Sequence, residues 1–264
     1  IRYSLDEEEK ARIDTEDDDN TTLYIIDIPV IESDRTRRVY VTMPIGVIFV
    51  RDDYIITVSQ KNNDIIKDIK TENVITYKKS RFLLQILYAN SKKFLSLLYK
   101  INKELESTEN KLKNSLQNEG LLKMLDLEKS LVYFTTSLKS NEVVMEKTTR
   151  GKIIKLYEED EDLLEDAIIE NKQAIEMAKI YSDILSGTMD TYASIISNNL
   201  NAVMKILTSV TFILAIPTLI ASIWGMNVEL PFQREPLGFL IITVFSIIMC
   251  IVATIWLKRK RMLN

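Results

Sequence analysis

Apolar residues dominate the last quarter of the chain, where two long runs contain no charged side chain. The first run covers residues 206–224, nineteen residues in all, and the second covers residues 236–257. A helix of about twenty apolar residues crosses the roughly 30 Å hydrocarbon core of a bilayer. The pattern therefore predicts two transmembrane helices close to the C-terminus.

Small and polar residues within the first run fall on a single helical stripe. Steps of three and four residues connect them, whereas the other positions are mostly Ile, Leu, Val and Phe. Of the hydroxyl side chains in this run, only Ser209 lies off the stripe. Such a stripe is typical of a helix–helix packing face or of a pore lining shared by several copies. It consists of Asn201, Met204, Thr208, Thr211, Ala215, Thr218, Ser222 and Gly225.

The stripe continues towards the N-terminus through Ser197, Ser194, Asp190 and Gly187. A repeat of about 3.5 residues that is sustained over this length indicates helices that lie side by side in a left-handed supercoil. The pattern favours a parallel homo-oligomer around a common axis.

A different pattern occupies the N-terminal part. Residues 21–30, 37–50 and 53–59 are rich in Ile, Val, Tyr and Thr, which predicts strands of a small mixed or antiparallel sheet with a helix or two against it. Pro29, Pro44 and Gly46 are expected to mark turns. Neither a glycine-rich phosphate loop nor a nucleophile motif occurs, so this domain is expected to be a scaffold.

The middle of the chain is almost free of helix breakers, with no proline between Pro44 and Pro217. Long helices are therefore predicted, from Lys79 to about residue 118, from residue 121 to about 140, and from about residue 152 to 224. A break is expected over residues 141–151.

These patterns predict an α+β cytoplasmic domain followed by a long stalk helix and two transmembrane helices. The expected segments, in chain order, are a small α/β domain (1–78), its helical part (79–150), a stalk helix (151–205), a pore-lining helix (206–227), an external loop (228–235), a second span (236–257) and a basic tail (258–264).

The amino-acid composition excludes several classes of function. A net charge of −4 argues against nucleic acid as a partner. The chain has no histidine and only one cysteine, Cys250, which excludes a His/Cys zinc site and removes the commonest general base. Neither enzymatic activity nor an organic cofactor is expected. The acidic first twenty residues do not resemble a signal peptide, so most of the chain is expected to stay in the cytoplasm.

Charges at the ends of the two runs predict their orientation. Lys205 precedes the first run and four basic residues follow the second at 258–261, whereas the connection between the runs holds one arginine, Arg234. The positive-inside rule then places both termini in the cytoplasm of a multi-pass protein of the cell membrane. Glu229 and Glu235 give the external loop a mild negative bias that would concentrate cations at the outer mouth.

The first run ends in Trp224, Gly225, Met226 and Asn227, a short acidic loop follows, and the second run ends in a basic tail. In this arrangement the chain resembles the CorA family of divalent-cation channels and transporters, whose signature is Gly-Met-Asn at this place. The family usually has Tyr before the glycine, and Trp224 keeps an aromatic ring there. The resemblance implies a homopentamer in a lipid membrane that transports Mg²⁺.

The resemblance also implies roles for individual residues. A ring of Asn227 would bind the hydrated ion at the outer mouth, where Gly225 allows close backbone approach. Thr218 and Thr211 would be polar positions below the Asn227 ring. Met204 and Leu207 correspond to an apolar constriction near the cytoplasmic end, and Asn201 corresponds to the next polar ring.

Two carboxylates correspond to family positions outside the membrane. Asp166 falls where the family has a regulatory cytosolic Mg²⁺ site between subunits, and Asp190 falls at the wide cytoplasmic part of the pore. Asp166 ends an acidic run that begins at Glu158 and is either a solvated helix face or a cation-binding surface.

No acidic residue lies between Asp190 and Glu229. Mg²⁺ releases its water reluctantly, and a lumen of neutral hydroxyl groups would not offset the cost of dehydration. The ion is therefore expected to pass at least partly hydrated, driven inward by the membrane potential.

Two alternatives remain open at this point. The first is transport of another divalent metal such as Zn²⁺, Co²⁺ or Ni²⁺, although the absence of histidine and the presence of Met226 favour Mg²⁺. The second is a membrane-anchored coiled-coil scaffold that conducts no ion.

Overall fold

The computed structural model of the chain describes residues 6, 9–16, 21–34, 37–50, 54–61, 64–71, 78–114, 118–150, 153–154, 156–227 and 237–263. Four strands come first: β1 (Arg12–Glu16), β2 (Thr21–Asp34), β3 (Arg37–Val50) and β4 (Tyr54–Ser59). Five helices follow: α1 (Asp64–Thr71), α2 (Lys79–Asn114), α3 (Asn118–Arg150), α4 (Glu158–Trp224) and α5 (Gly238–Arg259). The chain divides into two compact units, Ile1–Met189 and Asp190–Asn264.

The strands form one antiparallel sheet in the order β1-β2-β3-β4. The three strands predicted from the Ile, Val and Tyr content are confirmed as β2, β3 and β4. Strand β1 was missed, because its five residues, Arg-Ile-Asp-Thr-Glu, contain a single apolar side chain.

The prediction that Pro29, Pro44 and Gly46 mark turns is wrong, since all three lie within paired strands. Pro29 is opposite Thr42, and Pro44 is opposite Asp27. Directly opposite residues of an antiparallel pair exchange either both main-chain hydrogen bonds or neither. Proline has no N–H, so both prolines occupy non-hydrogen-bonded pairs and the sheet tolerates them.

One face of the sheet forms the main core. Alternate residues of β2 and β3, including Tyr24, Ile26 and Ile45, are fully buried together with apolar residues of α1 and α2. Helix α1 was not predicted individually, and it contributes Ile65 and Ile69, four residues apart on one face. The first turns of α4 complete this core through the side chains of Leu164 and Ala167.

The predicted break over residues 141–151 is wrong for its first ten residues, because α3 continues without interruption to Arg150. Asn141 is a poor helix former, and it was therefore interpreted as a helix end. It is fully buried in the middle of the helix, where its side chain bonds the main chain of β2. The predicted long helix from about residue 152 starts at Glu158 instead.

The second unit contains the C-terminal part of α4 and the whole of α5. Both are long and apolar enough to cross a membrane, judged by length and composition. Ser209 Oγ donates to Lys205 O at 2.7 Å and contacts Met262 O, beyond the end of α5, at 3.3 Å. The architecture predicted from the sequence is confirmed: a sheet-and-helix domain, then a long helix, then an apolar C-terminal helix.

Candidate functional site

The polar stripe of α4 is exposed along its whole length within the second unit. Met204 of the stripe is 51% exposed, and Leu207, which lies beside the stripe, is 57% exposed. The stripe residues from Asn201 to Ser222 all belong to the exposed class. The stripe is therefore available to face other copies of the chain or a lumen.

The threonine hydroxyls of this stripe share one geometry. Thr208 Oγ1 donates to Met204 O at 2.8 Å, and Thr211 and Thr218 donate in the same way to the carbonyls four residues earlier at 2.9 Å. Each hydroxyl proton is consequently used inside the helix. What the side chains present outward is an oxygen lone pair, an acceptor suited to the hydrogens of water bound to a cation.

The opposite face of α4 is the one that contacts α5. Ser209, the hydroxyl residue off the stripe, is fully buried there, and Ile220 is 9% exposed. Ser209 therefore lies on a different face of α4 from the stripe, and this polar residue on the packed face finds its partners within the chain.

A contact near Pro217 was missed by the sequence reasoning. Pro217 has no N–H, so the carbonyl of Ile213 lacks its usual helical donor. Cys250 Sγ of α5 lies 3.8 Å from this Ile213 oxygen and donates to it. The signal was present in the sequence as a proline inside an apolar helix, but the partner required the pairing of two helices.

Helix α4 ends at Trp224, just before Gly225, Met226 and Asn227. The Gly225 N–H donates to Ala221 O at 2.9 Å, and the Met226 N–H donates to Ile223 O at 3.2 Å. A Cβ on Gly225 would lie 3.2 Å from Ala221 O, a closer approach than side chains normally make. Glycine therefore suits this tight last turn, and Asn227 is exposed directly after it.

The carboxylates predicted to act outside the membrane belong to different units. Asp166 in the first unit and Asp190 in the second are both exposed. Among the residues that the structure describes, no group of three or more Asp, Glu or Cys side chains could hold a metal ion. Glu229 and the rest of the predicted external loop lie outside the described residues.

One residue of the acidic run at the start of α4 has a structural role. Asp160 is 1% exposed, and its Oδ2 accepts from the Tyr157 N–H at 3.3 Å, as a carboxylate in the first turn of a helix can. Arg81 of α2 lies 3.4 Å from Asp160 Oδ1 and 3.4 Å from Glu159 Oε2. Part of the run therefore caps α4 and attaches it to α2.

The fold and the two candidate spans define a class: a membrane protein with an N-terminal sheet-and-helix domain and two C-terminal apolar helices. The model of the family described as CorA-like Mg²⁺ transporter protein matches residues 1–259. The chain belongs to this family.

Individual relatives agree with the family match. The chain is 30% identical over 271 residues to the cobalt/magnesium transport protein CorA of Methanocaldococcus jannaschii, covering 98% of this chain and 82% of that protein. It is 32% identical over 148 residues to the cobalt/magnesium transport protein CorA of Thermotoga maritima, covering 52% of this chain and 42% of that protein.

Solved structures show the same architecture. The complete CorA magnesium transporter of M. jannaschii superimposes with a TM-score of 0.82 at 29% identity, over 97% of this chain and 80% of that chain. The full-length CmaX protein has a TM-score of 0.68 at 13% identity, over 97% of this chain and 78% of that chain, which shows a common fold.

Proposed function

We propose that this chain is the subunit of a homopentameric channel that conducts hydrated Mg²⁺ into the cytoplasm. The observation that carries the proposal is the exposed stripe of α4, whose threonine protons are used inside the helix and whose oxygen lone pairs face outward. The names of similar proteins, which include magnesium and cobalt transport, support the choice of ion.

The pathway begins at Asn227. Five copies of this residue, placed just beyond the last turn of α4, would form a ring of amide oxygens that accept hydrogen bonds from the water shell of the ion. Gly225 lets the chain turn tightly there, because its missing Cβ avoids the carbonyl of Ala221. Binding through the water shell requires no dehydration of Mg²⁺.

Further along α4 the ion would meet the oxygens of Thr218 and Thr211, and then the apolar side chains of Leu207 and Met204. A ring of apolar side chains blocks ions by dewetting when it is narrow and admits them when it widens. The membrane potential contributes about 2.3 kcal/mol per charge per 100 mV, hence roughly twice that for Mg²⁺, so no nucleotide is required.

The test is Mg²⁺ uptake into liposomes that contain the purified protein, under an imposed inside-negative potential. We expect uptake by the wild type and at least tenfold less by Asn227→Ala. Asn102→Ala, which removes a partly exposed asparagine side chain from α2, is the matched control and should leave uptake unchanged. Absence of uptake by a folded wild-type oligomer would support the scaffold alternative instead.

Gating by cytosolic Mg²⁺ is the second part of the proposal. Asp166 would contribute to an ion site between subunits whose occupation stabilises the closed state, so that high internal Mg²⁺ lowers flux. Asp166→Ala should shift the inhibition curve to higher Mg²⁺ concentration. Glu165→Ala removes the neighbouring exposed carboxylate and serves as the control. Equal inhibition curves for the wild type and Asp166→Ala would refute this role.

The choice among divalent ions is tested in the same liposomes. We expect Mg²⁺ to be conducted and Co²⁺ to compete with it, since both form strongly bound octahedral water shells. Uptake of Zn²⁺ or Ni²⁺ in preference to Mg²⁺ would favour the other-metal alternative.

A further inference from the structure

A pocket of about 480 Å³ lies in the first unit, where the middle of α3 meets β2 and β3. This volume is within the range of about 300–1,000 Å³ that is typical of small-molecule sites. The proposed conduction function does not use it. The residues that matter for its chemistry are Asp27, Thr42, Tyr133, Thr136, Ser137 and Ser140.

Asp27 is the unusual member of this lining. It is only 7% exposed, and burial raises the pKa of its carboxyl group to about 6, while a hydrogen bond from Ser137 opposes the rise. Among the described residues, no basic side chain forms an ion pair with it. An isolated buried carboxylate is costly, and a bound cation would offset that cost.

The position of this carboxyl group is fixed by its own main chain. The Asp27 N–H donates to Asn141 Oδ1 at 2.9 Å, and the Asp27 carbonyl accepts from Asn141 Nδ2 at 2.7 Å and from Asn90 Nδ2 at 2.9 Å. The side chain therefore belongs to a rigid support, which reduces the entropy lost when a ligand binds.

The hydroxyl groups around Asp27 are mainly acceptors. Thr136 Oγ1 donates to Val132 O at 2.9 Å, and Ser140 Oγ donates to Thr136 O at 3.1 Å. Ser137 Oγ is hydrogen-bonded to Thr42 Oγ1 at 2.9 Å as well as to the Asp27 carboxyl group. Because these protons are used within the protein, the part of the pocket around Asp27 offers oxygen lone pairs and one negative charge to a ligand.

The other residues that line the pocket favour an organic cation over a metal ion. A metal ion would require several oxygen ligands, and the described residues contain no group of three acidic or cysteine side chains that could bind one. Pro44, Val132 and the ring of Tyr133 line the same pocket and suit an alkyl chain. An aromatic ring also attracts organic cations.

We propose that this pocket binds the primary ammonium group of a small aliphatic amine, with Asp27 as its counter-ion and the hydroxyls of Ser137 and Thr42 beside it. The alkyl chain lies against Pro44, Val132 and Tyr133. The other charged groups that line the pocket are Glu9, Lys10, Glu32 and Lys61. Glu9 pairs with Arg12 and Glu32 pairs with Lys61, so these two acidic residues already have cationic partners.

The experiment is isothermal titration calorimetry of the full-length protein in detergent with three probes: n-butylamine, n-butanol as its uncharged analogue, and MgCl₂. We expect saturable binding of butylamine and none of butanol. Asp27→Asn keeps the shape of the side chain and leaves the main-chain bonds to Asn141 in place, and it should weaken amine binding at least tenfold. Glu176→Gln, which removes an exposed charge far along α4, should have no effect.

A second measurement uses only the wild type, so that the proposal can be tested even if Asp27→Asn does not fold. In the wild type, amine affinity should rise about tenfold from pH 5 to pH 7, because the ionised fraction of a group with a pKa near 6 rises by that factor. The proposal fails if butylamine does not bind the wild type, if butanol binds equally well, or if its affinity is unchanged over this pH range. It also fails if only MgCl₂ shows heat that depends on Asp27, since the pocket would then be a metal site.

Discussion

Asn141 of α3 and Asp27 of β2 are joined by a two-bond ring. The side-chain amide of Asn141 accepts from the Asp27 N–H at 2.9 Å and donates to the Asp27 carbonyl at 2.7 Å. Strand β1 begins at Arg12, opposite Ile25, and Asp27 faces Pro44 in a pair without ladder bonds, so β3 does not bond the Asp27 main chain. The amide therefore takes the place of the missing strand, and it fixes the helix to the edge of the sheet.

Asn141→Ala should destabilise the protein by about 1–3 kcal/mol, because it leaves the buried N–H of Asp27 without an acceptor. Asn102→Ala removes a partly exposed asparagine that bonds Glu106 and should change stability by less than about 0.5 kcal/mol. Thermal unfolding of the detergent-solubilised protein, followed by circular dichroism, measures both. Similar midpoints for the two variants would show that the ring is energetically unimportant.

The buried carboxyl group of Asp27 predicts how stability depends on pH. Its pKa in the folded protein, about 6, is above the ordinary value of 3.8, so the native state holds this proton more tightly than the unfolded chain. The contribution of this group to stability therefore falls as the pH rises from about 4 to about 6 and stays low above it. Two pKa units correspond to roughly 3 kcal/mol.

Asp27→Asn should accordingly raise the unfolding midpoint at pH 7.5 and flatten the decline between pH 4 and pH 6. Unfolding midpoints of the wild type and the variant, measured at several pH values, provide the test. A variant that is less stable than the wild type at pH 7.5 would contradict the assigned cost of the ionised carboxylate.

Two glycines provide a matched pair. Gly187 lies inside α4 with no heavy atom of this chain within 4 Å of an added Cβ, so Gly187→Ala should stabilise the helix by up to about 1 kcal/mol. Gly225→Ala brings a methyl group to 3.2 Å from Ala221 O and should distort the turn before Asn227. We expect flux through liposomes to fall several-fold for Gly225→Ala; flux equal to that of the wild type would count against a role of this turn.

The hydrogen bond between Cys250 and the Ile213 carbonyl can be tested by a double-mutant cycle. Cys250→Ala should cost about 0.5–1 kcal/mol, since it leaves the Ile213 carbonyl without a donor in an apolar environment. In the background of Pro217→Ala the same change should cost almost nothing, because residue 217 then supplies the helical N–H. Additive effects in thermal unfolding would mean that Cys250 does not serve this carbonyl.

Much of the architecture could be predicted from the sequence because each signal was local and periodic. The uncharged runs, the strand-forming residues and the scarcity of helix breakers act through near neighbours in the chain, and they located three strands and every long helix. The three- and four-residue spacing also distinguished the exposed stripe of α4 from the face with Ser209.

Other features depended on contacts between distant segments. The sequence suggested turns at Pro29 and Pro44 and a helix end at Asn141, since each residue disfavours regular structure by itself. Tertiary structure reversed these expectations, because the strand register places the prolines at positions without ladder bonds and β2 supplies partners for the asparagine amide. The pocket beside Asp27 arises in the same way, from segments more than a hundred residues apart that no local pattern connects.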